Sequence, residues 1–169
     1  MKKIFLLSLI FFTFTYLHSS EIKLEKIFDG LNKPWSLSFV DENNILVTEK
    51  SGNLLFVNLK DKTKSIIKHN LSVLEDGQGG LLDVLFHNGN VYVSYSENRG
   101  NWHSSTSVAR GILNKKNTVF KNIFRAEPPI NSGYHFGSRL VIKDNFLFIT
   151  AGERGKGMIA QDPTKHPGS

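Results

Sequence analysis

One phrase recurs three times along this chain, and it limits the possible folds more than any other feature. "WSLSFVDENNILVTEKSGN", "LLDVLFHNGNVYVSYSENRGN" and "RLVIKDNFLFITAGERGKG" each run as an apolar strand-like segment, a polar turn containing Asn, and a second apolar segment. An acid and a glycine-bearing turn then follow. The acids are Glu49, Glu97 and Glu153, spaced 48 and 56 residues apart. A unit of roughly 50 residues built from four short strands is the signature of a β-propeller blade, because one twisted four-stranded sheet cannot bury both of its faces until neighbours pack against it. A β-sandwich accounts for the strands but less readily for the recurring acid and turn.

The rest of the pattern agrees. From Ile22 onward, β-branched and aromatic runs alternate with clusters of Gly, Asn, Asp and Lys, the signal for an all-β meander. Strands are predicted over 35–40, 45–49, 54–59, 65–68, 81–86, 91–96, 106–113, 119–125, 139–142 and 146–150, with no convincing helix. Links such as "DENN", "KSGN", "HNGN" and "KDN" have hairpin length and favour turn geometry. Residues 35–69 then make one blade, 81–126 a second, and 138–152 the first half of a third. Since propellers close with about four to eight blades, two and a half blades are expected to be the front part of a longer protein, residues 21–169 being an incomplete propeller domain.

Residues 1–20, "MKKIFLLSLIFFTFTYLHSS", stand apart. Two lysines precede a mostly apolar run from Ile4 to Leu17, and small polar residues follow, which is the order of a secretory signal peptide. The run is short for a membrane span, so no span is expected after cleavage; an uncleaved anchor is the lesser alternative. Without that segment, 19 basic residues face 15 acidic ones, a balance of +4. The lysines are scattered through turns, which argues against nucleic-acid binding. The absence of cysteine excludes disulfides, zinc-thiolate sites and a cysteine nucleophile.

Three glycine-rich stretches are candidates for chemistry. In "DGQGG", Gln78 offers an amide that both donates and accepts, and the two glycines after it allow close backbone approach; a tight turn between blades explains the stretch equally. In "SGYHFGSR", His135 has the side chain suited to proton transfer near neutral pH, and its flanking glycines are expected to leave room for a flat ligand. A lone loop histidine is more often simply solvated. In the third stretch, Glu153 and Asp162 are possible ligands for a metal or a hydrogen-bonding site, but their spacing is unspecific and a structural role is favoured. His69, His87 and His103 sit in turns or strand ends without a carboxylate at useful spacing. There is no Walker loop, dinucleotide fingerprint, nucleophile elbow or metalloprotease helix.

Read together, "LNKPWSLSFV", "ILVTEKSGNL", "DGQGGLLDVLFH", "VYVSYSE", "TSVARGIL", "IFRAEPP", "HFGSRLVI", "FLFITAGERG" and "AQDPTKHPG" resemble, in order, the soluble pyrroloquinoline quinone (PQQ)-dependent aldose sugar dehydrogenases of the glucose/sorbosone dehydrogenase family, over about residues 29–168. That resemblance implies a six-bladed propeller with PQQ on its top face and calcium assisting. It implies Gln78 as a quinone-contacting residue and His135 as both a cofactor-binding residue and the catalytic base, taking the proton of a sugar's anomeric hydroxyl while hydride passes to the quinone. An aldonolactone product, reoxidation by an external electron acceptor and a periplasmic address are implied as well. Two departures stand out: Tyr134 occupies the place where soluble glucose dehydrogenases carry an acid, and Glu153 replaces the more usual aspartate of the "GDRG" turn. The calcium ligands and the family's further basic PQQ-binding residues are expected beyond Ser169, so no metal ligand is assigned here. A non-catalytic, extracytoplasmic propeller-type binding module is the alternative reading.

Overall fold

The computed structural model of the chain describes residues 22–162 and 164. The expected secretory segment 1–20 and the histidine at 166 lie outside them. No helix among the described residues is long and apolar enough to cross a membrane.

The chain folds into successive antiparallel meanders. Strands β1 (Pro34–Phe39), β2 (Asn44–Glu49), β3 (Leu54–Asn58) and β4 (Thr63–His69) form the first sheet. Strands β5 (Leu81–His87), β6 (Asn90–Asn98), β7 (Ser104–Ile112) and β9 (Lys121–Arg125) form the second, and β10 (Gly137–Lys143) pairs with β11 (Phe146–Ala151) in the third. These are two propeller blades and the opening hairpin of another, as the repeat predicts.

Two features differ from expectation. The strand expected over 119–125 starts only at Lys121, and an unexpected two-residue strand β8 (Asn117–Thr118) precedes it and pairs in parallel with β4 of the first blade, Lys68 opposite Asn117 and His69 opposite Thr118. The Asn70 side chain reinforces the junction by accepting from the Phe120 N–H (2.8 Å) and donating to the Phe120 carbonyl (3.0 Å). The chain stitches the two blades together before returning to its own sheet. A 3-10 turn, Gly157–Gln161, also follows the third glycine-rich stretch where no helical element is expected.

Packing follows from a first sheet that is apolar on both faces. Leu46, Leu54 and Ile67 of the first blade are buried against Leu81, Val91 and Val93 of the second. Each such side chain contributes on the order of 1.5–3 kcal/mol. On its other face the first blade buries Ile45, Val47, Leu55 and Val57, with Phe28 and Leu31 packed on them. The first strands of the three units are joined by one buried carboxylate, Asp83 of β5. It accepts from the Ser36 hydroxyl of β1, the Leu140 N–H of β10 (2.8 Å) and Arg139 (3.2 Å). A buried carboxylate that satisfies three neighbours in this way fixes the register between blades, and so fixes where the loops at the strand ends meet.

Candidate functional site

The loop before β5 and the loop before β10 come together at one end of the blades. The Gln78 N–H donates to the Gly133 carbonyl (2.6 Å), and the His135 N–H donates to Oε1 of Gln78 (2.9 Å). The two residues singled out from separate stretches are thus directly bonded although 57 positions apart. This contact uses the oxygen of the Gln78 amide, so its NH2 group remains turned to other partners, and both side chains lie at an exposed surface. The close approach expected of "GQGG" is also present: a Cβ at Gly80 would sit 2.2 Å from the Lys50 carbonyl oxygen.

His135 has a left-handed backbone (φ 49°), uncommon for a residue with a side chain and a frequent mark of functional loops. Its Nδ1 meets Oε1 of Glu153. The second Glu153 oxygen accepts from the Gly155 N–H (2.6 Å). The hydrogen bond with His135 holds the Glu153 carboxyl below the ordinary glutamate value; burial opposes it, and the Gly155 N–H adds a lesser pull downward. An ionised carboxylate only accepts, so the shared proton belongs to Nδ1, and Nε2 of a neutral His135 is the lone-pair nitrogen. About half of the His135 side chain, 54%, is solvent-accessible. The arrangement is therefore a half-exposed imidazole backed by a carboxylate at Nδ1, with Nε2 left without a hydrogen-bond partner among the described residues.

The space freed by the missing side chains of the glycines on either side of His135 is taken up by the protein itself. A Cβ at Gly137 would lie 2.8 Å from the Thr150 carbonyl oxygen, and one at Gly133 3.0 Å from Oδ2 of Asp76. They let the chain pack against itself. The closest approach is at Gly152, where a Cβ would sit 1.9 Å from the His135 carbonyl oxygen; any side chain there would push the histidine loop away from Glu153.

Spacing along the sequence did not link Glu153 to His135, and Arg154 drew no notice. Its guanidinium is almost fully buried (2% exposed) and stacks 3.7 Å above the Phe136 ring. Burial pulls its pKa down to about 10, opposed by the negative charges of Asp76 and Glu153, so it stays cationic at neutral pH. Asp162 instead accepts from the Thr164 N–H and hydroxyl. His69 hydrogen-bonds the Gly52 carbonyl (2.8 Å), a structural role. Among the described residues no three His, Asp or Glu side chains gather as a metal site, so no step is assigned to calcium.

Residues 31–169 match the family described as Glucose / Sorbosone dehydrogenase. The chain is 33% identical over 157 residues to aldose sugar dehydrogenase YliI of Escherichia coli (strain K12), a match covering 87% of this chain and 42% of that protein. It is 28% identical over 152 residues to quinoprotein glucose dehydrogenase B of Acinetobacter calcoaceticus, covering 79% of this chain and 31% of that one. Among solved structures, a crystal structure of glucose dehydrogenase superposes with a TM-score of 0.78 at 35% identity, over 84% of this chain and 44% of its own. The chain spans less than half the length of each of these relatives.

Proposed function

The chain belongs to the glucose/sorbosone dehydrogenase family, and on that premise we propose that it serves the PQQ-dependent oxidation of aldose sugars at the anomeric carbon to aldonolactones, with His135 as the proton acceptor. The single observation that carries this reading is the pairing of the half-exposed His135 imidazole with Glu153 through Nδ1, which leaves Nε2 without a hydrogen-bond partner among the described residues. A dehydrogenation of this kind needs a base at the hydroxyl being oxidised, and a neutral imidazole supplies one near pH 7.

PQQ, when bound, supplies the two-electron acceptor for the hydride leaving the anomeric carbon. The donor set fits a quinone: the free NH2 of Gln78 suits a carbonyl oxygen, and the imidazole lies beside it on the same exposed surface. His135 takes the anomeric hydroxyl proton at Nε2. Glu153, held below the ordinary glutamate value, stays ionised and stabilises the imidazolium that results. Gln78 fixes the His135 backbone and so the position of the base relative to the cofactor face. The secretory pattern of residues 1–20 supports a periplasmic address, with an external acceptor reoxidising the quinone.

The test is titration of the protein from its native source with PQQ in the presence of calcium, followed by dye reduction with aldoses. A quinone absorbance change and aldose-dependent turnover are expected. A flat titration without turnover would overturn the proposal in favour of a non-catalytic propeller-type module. His135→Ala should retain the absorbance change while losing turnover, and full activity in that variant would remove the role given to His135.

A further inference from the structure

The carbonyl groups around His135 can be traced one by one. Gly133 is held by the Gln78 N–H (2.6 Å), and Phe136 by the Thr106 hydroxyl (2.9 Å) and the Gly152 N–H (3.1 Å). The remaining three all go to one residue. Arg154 Nη2 donates to the Ser132 carbonyl, Nε to the Tyr134 carbonyl (3.0 Å), and the Arg154 N–H to the His135 carbonyl (3.3 Å). On its far side the same guanidinium donates to the Ser104 carbonyl (3.0 Å) and hydroxyl (2.9 Å) at the start of β7.

We propose that Arg154 is the positioning residue that presents the imidazole of His135 to Glu153. This rests on the reading of His135 as the proton acceptor, but its own content is geometric. Arg154 is the next residue after Glu153, so one short turn carries both the carboxylate that meets Nδ1 and the clamp that holds the loop on which Nδ1 sits. The clamp is anchored in the second blade through Ser104, which ties the histidine loop to a rigid strand. A planar fork of five donors over an aromatic face serves this purpose. Lysine keeps the charge but cannot reach both blades from a single nitrogen. A buried guanidinium bonded to three carbonyls and one hydroxyl, with no carboxylate bonded directly to it, is a costly way to hold a loop, and two of those carbonyls belong to the loop that carries the base.

The test compares wild-type protein with Arg154→Lys and with the milder Ser104→Ala, which removes only one acceptor. Protein carrying 15N-labelled histidine reports the imidazole tautomer directly, and the His135 resonances are assigned as those lost in His135→Gln. Wild type should show the Nδ1–H tautomer. Arg154→Lys should move His135 toward the Nε2–H tautomer favoured by free histidine, at temperatures well below its unfolding, and Ser104→Ala should move it part of the way. In the PQQ-loaded protein, kcat should fall about ten- to a hundredfold in Arg154→Lys with KM little changed. A lowered Tm with an unchanged tautomer in both variants would overturn the proposal, reducing Arg154 to a packing residue. Because the tautomer is read without substrate or cofactor, failure of the dehydrogenase reading would show separately, as absent turnover beside a tautomer that still responds to Arg154. Should Arg154→Lys fail to fold, Ser104→Ala alone decides: an unmoved tautomer there contradicts the clamp.

Discussion

Glu97 and Glu153 occupy corresponding places in the repeat of neighbouring units, each at or just past the end of the second strand and before a glycine turn, yet they make different contacts. Glu97, the second-last residue of β6, is largely buried and accepts from Arg125 through both oxygens (2.7 Å each) and from the Ser107 hydroxyl (2.7 Å). Glu153 lies two residues past the end of β11, so its carboxylate leaves the sheet and reaches the histidine loop. Glu49, the last residue of β2, is the simplest of the three, bonded to the Asn32 N–H (2.7 Å) and the Asn53 amide (2.9 Å). A repeated position is structural by default here. On the proposed reading it becomes chemical where the chain carries the acid beyond the strand and a histidine meets it.

The largest contrast should come from turnover. His135→Ala is expected to lower kcat by about a thousandfold, within the range for loss of a general base, with Tm nearly unchanged. Glu153→Gln should lower kcat by about a hundredfold, again without a large change in Tm. Glu97→Gln should do the reverse, leaving turnover intact and destabilising the fold by about 1–2 kcal/mol in denaturant unfolding, a figure discounted because Arg125 is half-exposed.

Glu97 also gives a pH signature. Burial raises its pKa, but the hydrogen bonds from Arg125 and Ser107 outweigh this and leave it below the usual 4.5. Its stabilising contribution is therefore complete above the ordinary glutamate value and is lost as pH falls through the depressed native one. Acid unfolding curves of wild type and Glu97→Gln should converge on that limb. Glu49→Gln should have the smallest effect, about 1 kcal/mol or less, since its partners are neutral.

The repeat itself was legible. Spacing of Glu49, Glu97 and Glu153 placed three blade units, and hairpin-length links separated the strands correctly to within a few residues. What spacing could not supply was the partner of each acid, because that depends on register between blades. Gln78 meets His135 across 57 positions and Arg154 meets Ser104 across 50, through contacts set by the Asp83 junction rather than by any local pattern. The short strand β8 was hidden for the same reason: Asn117 and Thr118 pair with the neighbouring blade. Nothing in the sequence marks Arg154 out from the other charged residues of the turns; its burial and its place over Phe136 do.

Whether His135 and Glu153 act as one unit is decided by a double-mutant cycle on PQQ-dependent turnover. Glu153→Gln is expected to cost about a hundredfold in the wild-type background and almost nothing once His135 is already Ala. An equal loss in both backgrounds would contradict the account, since the carboxylate would then be acting on something other than the histidine it touches.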